Sequence, residues 1–353
     1  MQGRHRHEEH VRHGREERRR PRRTAFAATL AIGALGLLGA AGAQASTVTV
    51  GSVLPPGSTP APFGEVKTLF NAALPEKGAN LVSPVSGAIV RWQVQGAKGG
   101  PFLLRVLHPT GTGAFTAVGT SGAATPANTG LQTFTANVPI HAGDLIGIDP
   151  TNTTDEIGIA TVAGASTASI FSPPFEGATK APNGGESGKE IELSAEVQPT
   201  PVITAVSPSS GSVAGGAKVT ITGTDFNTAS AVKFGTKAAT TYTVGSETQI
   251  SATVPASTKV NRVDISVTTI AGTSVAVSAD RFSYQGCVVP KLSGKKLPAA
   301  KSLLRGADCK LGKVTKLAGA TAKTGVVAKQ SPKSGKVLVP GAKVKVSLAV
   351  DKK

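Results

Sequence analysis

The 353-residue chain carries 38 Lys and Arg against 21 Asp and Glu, a formal charge of +17, and only 4% of its residues are aromatic. The charge is uneven: residues 1–45 hold nine Arg against four Glu, residues 46–286 hold 13 basic and 15 acidic side chains, and residues 287–353 hold 16 basic and two acidic. This is a near-neutral body with one strongly basic end, not a uniformly basic nucleic-acid binder.

The front end reads as a targeting segment. After the arginine-rich residues 1–23 comes the uncharged run "TAFAATLAIGALGLLGAAGAQA", which ends in Ala43-Gln44-Ala45. A charged start, an apolar middle and small residues at the end predict a signal peptide cut after Ala45. The alternative is an uncleaved anchor, because about 20 apolar residues approach spanning length. Arg22-Arg23 before Phe26 also has the look of a twin-arginine signal. No later stretch is long and apolar enough to span a membrane, so membrane contact is expected only if this segment is retained. The mature protein is expected to be extracellular or attached to the cell wall, where nucleic acid is not an expected partner.

Residues 46–79 open with "STVTVGSVLPPGSTPAPFG", whose Pro, Gly and Ser read as an extended lead-in. From residue 80 alternation sets in. "GAIVRWQV" places Val90, Trp92 and Val94 on one face, and "PFLLRVL", "LQTFTANVPI", "DLIGIDP", "EIGIATV" and "EIELSAEV" add further strands. In the last of these, Ile191, Leu193, Ala195 and Val197 face one way. The prediction for residues 80–198 is an antiparallel β-sandwich or jelly-roll-like domain, with a loose loop, "SPPFEGATKAPNGGESGK", before the final strand.

After "QPTP" come "PVITAVSPSSGSVAGGAKVTITGTDFNTASAVKFG", "TQISATVPA" and "VDISVTTIAGTSVAVSADRFSY". Over residues 201–285 this text resembles an IPT/TIG domain. The resemblance rests on Ile203, Pro208, Gly211, Gly215-Gly216, Val219, Ile221, Gly223, Phe226, Val232, Phe234-Gly235, Pro255, Val267, Gly272 and Phe282. It implies an immunoglobulin-like sandwich, a fold and not a chemistry.

Residues 287–353 carry Val289-Pro290 with Gly294, then Ala300, Leu303 and Leu304, Leu311-Gly312-Lys313-Val314, Gly325-Val326-Val327, Gln330-Ser331-Pro332, Gly335 and Pro340-Gly341. This pattern resembles a PASTA domain, a small α+β unit of topology β-α-β-β-β. Pro298 suits the first turn of its helix and Gly306 the exit, and residues 297, 300, 303, 304 and 307 form one apolar stripe. The resemblance implies recognition of peptidoglycan fragments, with Lys329, Gln330, Ser331 and Lys333 as the turn that meets a stem-peptide carboxylate. Cys287 and Cys309, the only two cysteines, predict a disulfide in an exported chain, with buried free thiols as the alternative.

Catalytic chemistry is sparse. Beyond residue 45 only His108 and His141 remain, each beside a strand end, and no G-x-S-x-G, S-x-x-K, H-E-x-x-H or P-loop motif occurs. Asp144, Asp149, Asp155 and Glu156, within "GDLIGIDPTNTTDEIG", form the densest oxygen-donor cluster and are the candidate ligands of a structural Ca²⁺. A carboxylate pair among them also allows a glycosidase reading, and turn chemistry accounts for Asp149-Pro150 and Asn152.

The chain therefore reads as a mainly β, multidomain, non-enzymatic envelope protein without a cofactor. Its expected partner is peptidoglycan or another anionic wall polymer, and a carbohydrate or a protein is the candidate partner of residues 80–198. The alternatives are a wall- or polysaccharide-active enzyme with its site in residues 80–198, and a surface protein-binding adhesin that uses strand edges.

Overall fold

The computed structural model describes residues 46–171 and 177–351; the predicted signal segment lies outside them. The first domain has twelve strands: β1 (Val48–Gly51), β2 (Thr59–Pro62), β3 (Lys67–Ala73), β4 (Gly87–Val94), β5 (Phe102–Pro109), β6 (Phe115–Thr120), β7 (Gln132–Ile140), β8 (Leu145–Pro150), β9 (Glu156–Phe171), β10 (Thr179–Lys180), β11 (Gly184–Ile191) and β12 (Leu193–Pro199). A four-stranded sheet runs β1-β12-β4-β7. An eight-stranded sheet runs β10-β6-β5-β8-β3-β9-β11, with β2 also on β9.

Residues 46–79, expected as a lead-in, instead supply β1, β2 and β3. β1 pairs with β12, and β3 lies between β8 and β9. The prolines are no obstacle: Pro60 and Pro62 sit in β2, which pairs only with β9, and an edge strand has ladder positions that need no N–H. Strand phase in β4 also departs from simple alternation. A bulge between Ile89 and Arg91 turns Ile89 into the core and leaves Val90 half-buried. Trp92 is fully buried, as its phase predicts, with its ring 4.7 Å from that of Phe134.

The stretch "EIELSAEV" is two strands in two sheets. β11 ends at Ile191 and β12 starts at Leu193, so the chain crosses between sheets at Glu192. Ile191, Leu193, Ala195 and Val197 all reach the core, as expected. The predicted loop before this stretch contains β10 and most of β11.

The second domain has β13 (Val202–Ser207), β14 (Ser210–Ser212), β15 (Lys218–Thr224), β16 (Ala231–Phe234), β17 (Lys237–Ala238), β18 (Thr241–Ser246), β19 (Gln249–Thr253), β20 (Arg262–Thr269), β21 (Gly272–Thr273) and β22 (Arg281–Gln285). One sheet runs β13-β15-β19-β18 and the other β14-β22-β20-β16-β17, with β21 on β20. Phe226, Phe234, Phe282 and Tyr284 fill the space between them. Gly223 is required here: a Cβ at that position would lie 1.9 Å from the Val202 carbonyl oxygen and 2.5 Å from the Phe226 ring.

The terminal domain has β23 (Cys287–Val288), α1 (Leu297–Gly306), β24 (Lys310–Lys316), β25 (Val326–Ser331), β26 (Val337–Leu338) and β27 (Lys343–Ala349). A three-stranded sheet runs β24-β27-β25, and β23 pairs with β26 in a separate ribbon. Pro298 occupies the first turn of α1. Ala300 and Leu304 are buried, Leu297 and Ala307 pack at the margin, and Leu303 is exposed. The left-handed residue after the helix is Asp308, at φ 59°, rather than Gly306.

Candidate functional site

The four acidic residues read as Ca²⁺ ligands do not converge. Fully buried Asp144 takes His108 Nδ1 at 2.7 Å on Oδ1 and the His141 backbone N–H at 2.8 Å on Oδ2, and so fastens the β7–β8 turn to the end of β5. Asp149 is held by the Arg105 guanidinium, whose Nε donates to Oδ2 at 2.8 Å. Burial pushes the Asp149 carboxyl up, against the pull of Arg105. Asp155 accepts backbone N–H groups of Gly100, Thr151 and Asn152 at 2.8–3.1 Å, and Glu156 sits 3.7 Å from Lys98. Each carboxylate is committed to a local partner, because alternate strand phases and a turn send neighbours in sequence to different places. Among the described residues no group of three or more His, Cys, Asp or Glu is arranged to hold a metal ion, and the four carboxylates expected as Ca²⁺ ligands each stand in a structural pairing of their own. The histidines are exposed, as expected, but both lie beside the same buried aspartate, Asp144.

In the terminal domain the disulfide between Cys287 and Cys309 is formed. The turn assigned to ligand contact divides in two. Gln330 is a clamp: its Oε1 accepts the Leu292 N–H at 2.8 Å, and its Nε2 donates to the carbonyls of Pro290 at 3.0 Å and Pro332 at 3.3 Å. With both ends of its amide occupied, it is not a free recognition group. Lys329, Ser331 and Lys333 are exposed.

Sequence reading missed how closely the basic side chains crowd. Lys301 and Arg305 are one helical turn apart on α1, and with Lys310 they line a hollow of about 380 Å³ beside Asp308 and Cys309. Lys310 is the register partner of Lys343 across the parallel β24–β27 pair, and exposed Lys345 follows on the same face of β27. Among the described residues no basic side chain of this domain is in an ion pair.

The first domain holds a larger hollow, of about 600 Å³. Its floor includes Leu69, Ile157 and Ile159, which continue into the main core. Its walls carry Thr161, Lys67 and Lys189, with Glu186 as the only carboxylate among the described residues. Volumes of 300–1,000 Å³ with an apolar floor and a few polar groups suit a small ligand. Away from the hollow, Glu190 and Glu192 are fully buried, with the carboxylate oxygens of Glu76 buried beside them and the Ser52 and Ser58 hydroxyls as neighbouring donors.

Residues 201–284 match the family model of the IPT/TIG domain and residues 288–349 that of the PASTA domain. The chain carries one of each, in an arrangement that fits a modular cell-envelope protein. No curated protein matches the chain. A solved structure of the plexin A4 full extracellular region aligns over 65% of this chain and 34% of its own, at 11% identity and a TM-score of 0.23. No helix among the described residues is long and apolar enough to cross a membrane.

Proposed function

We propose that this chain, with its IPT/TIG and PASTA domains, is an exported, non-enzymatic envelope protein. Its PASTA domain binds peptidoglycan or another anionic wall polymer, and the β-sandwich domains act as spacers. The observation that carries this reading is unrelieved cationic crowding. Like charges one helical turn apart, or opposite each other on paired strands, each cost a few tenths of a kcal/mol, roughly. Lys301 with Arg305 and Lys310 with Lys343 incur both costs; Asp308 is the one carboxylate among the residues lining the hollow, against three cations there, and it forms no ion pair with them. A polyanion laid across them turns the repulsion into attraction.

A second binding reading is favoured by the hollow of the first domain. Its apolar floor, threonine hydroxyls and the flanking Lys189 suit a saccharide that bears a carboxylate. The wall-active enzyme reading would need two carboxylates for general acid–base hydrolysis; among the described residues the hollow offers Glu186.

One experiment addresses both readings: sedimentation of the protein with purified peptidoglycan across a salt series, beside a Lys301→Gln, Lys310→Gln, Lys343→Gln variant. The proposal expects binding that weakens with salt and falls at least fivefold in the variant. Equal binding by the variant overturns the assignment of wall binding to the basic face of the PASTA domain. If that retained binding is competed by a uronic-acid disaccharide and lost in Lys189→Gln, the hollow is the site.

A further inference from the structure

Glu190 and Glu192 lie on the same side of the chain, two residues apart, where it crosses from the eight-stranded sheet to the four-stranded one. Ordinary alternation would leave that side in water, because Ile191 and Leu193 face the core. Instead it is covered by the connections on either side of β2 and β3. Ser52, just after β1, donates its backbone N–H to Leu193 O at 2.9 Å. Ser52 and Glu76 side chains flank Glu190, and the Ser58 hydroxyl flanks Glu192. The segment that carries Glu76 is pinned at its far end by paired backbone bonds between Asn80 and Gly51, and by Asn80 Nδ2 to the Thr49 carbonyl at 2.8 Å. From β3, the Asn71 amide bridges both backbone groups of Ile191, at 2.9 and 3.0 Å.

Among the described residues no ion pair reaches this cluster: the neighbours are Ser52, Ser58, Asn71 and the glutamates themselves, and Lys77, beside Glu76, is exposed. A buried ionised carboxylate without a counter-charge is strongly disfavoured even beside a hydroxyl, so such a group takes up a proton instead. Two carboxyl groups in contact hold together only while a proton lies between them; with both ionised they repel.

We propose that Glu76 and Glu190 share one proton and form a pH-sensitive latch that fastens the segment 74–80 over the crossover between the two sheets. Burial first, then contact with Glu76, raises Glu190 to about 7, with Glu192 adding to the repulsion; burial also raises Glu192. A carboxyl raised in the closed state contributes fully below its ordinary value near 4.5, and that contribution is lost as pH rises through 7. The latch is shut in mildly acidic surroundings and slackens in alkaline ones. β11 carries Glu190 and also lines the large hollow through Gly185, Glu186 and Lys189, so the latch sets how firmly that wall is held.

The test is hydrogen–deuterium exchange of the full chain, corrected for intrinsic rates, at pH 6 and pH 8.5. For one carboxyl moving from 4.5 to about 7, linkage predicts about a tenfold loss of protection in residues 74–80 and 189–193 between these two pH values, with residues 201–284 unchanged. Glu190→Gln, neutral at every pH, should remove this carboxyl's tenfold share and leave only what buried Glu192 contributes. If that variant does not fold, Glu76→Gln should shrink the difference by the share that contact with Glu76 adds, burial of Glu190 keeping the rest. Flat protection in the wild type, or the same tenfold loss in both variants, overturns the latch. So does full restoration at pH 8.5 by 1 mM calcium in the wild type, which would assign the cluster to a cation.

Discussion

Replacing Cys287 and Cys309 together by serine tests what the disulfide does for the PASTA domain. The bridge joins residues 22 apart, and closing a loop of that length removes about 3.4 kcal/mol of unfolded-chain entropy at 25 °C on the chain-entropy model. The domain has little else to draw on. Residues 287–353 contain no aromatic side chain, so its core is aliphatic, with both half-cystines buried at its centre, and a unit of this size rarely supplies more than about 3–5 kcal/mol. At an m-value of about 1 kcal/mol/M in urea, the midpoint should fall by about 3 M. Pulse proteolysis with trypsin reads this directly, since the many basic residues become cleavable on unfolding. Trp92, the only tryptophan, reports the first domain separately and its transition should not move. A midpoint shift below about 1 M, or a Trp92 transition that moves with it, would refute the reasoning.

The Gln330 amide makes three hydrogen bonds to backbone groups. Gln330→Ala should therefore lower the tryptic midpoint by the equivalent of about 2–3 kcal/mol and leave wall affinity unchanged at temperatures where the domain is folded; a selective affinity loss without destabilisation would restore it as a ligand group. Asp149→Asn takes a buried carboxylate away from the Arg105 guanidinium, and a loss of about 3–5 kcal/mol should appear in the Trp92 fluorescence transition, alike in high and low salt.

Most strands of residues 80–198 are legible in the sequence because one face of each is apolar. The IPT/TIG and PASTA patterns are more specific still, since their glycines and prolines mark places where the backbone allows little else, as at Gly223. One misreading hides a second feature. Residues 46–79 look like a linker because Pro and Gly are dense there, and local composition does not reveal that β2 needs only one ladder. Once those residues are taken for a loose lead-in, nothing is left to cover the second face of "EIEL", and alternation gives no sign that Glu190 and Glu192 are buried. The buried cluster becomes visible only when Ser52, Ser58 and Glu76 are returned to the sheet. The acidic run from Asp144 to Glu156 misleads in the opposite way: proximity along the chain suggests convergence, and the pleat of β8 and the turn after it separate the side chains.

The domains are joined with almost no slack. Thr200 and Pro201 alone separate β12 from β13, where Gln198 also bonds Thr228 across the joint at 2.7 Å. Gly286 alone separates β22 from β23, and a Cβ there would lie 2.7 Å from the Leu338 carbonyl. Val337, from the terminal domain, packs against the core of its neighbour. A flexible tether dilutes a second binding event to the effective concentration its length allows. Joints this short remove that dilution: if the basic face and the first-domain hollow engage one polymer, avidity depends on whether the spacing of sites along the polymer matches a distance set by packing.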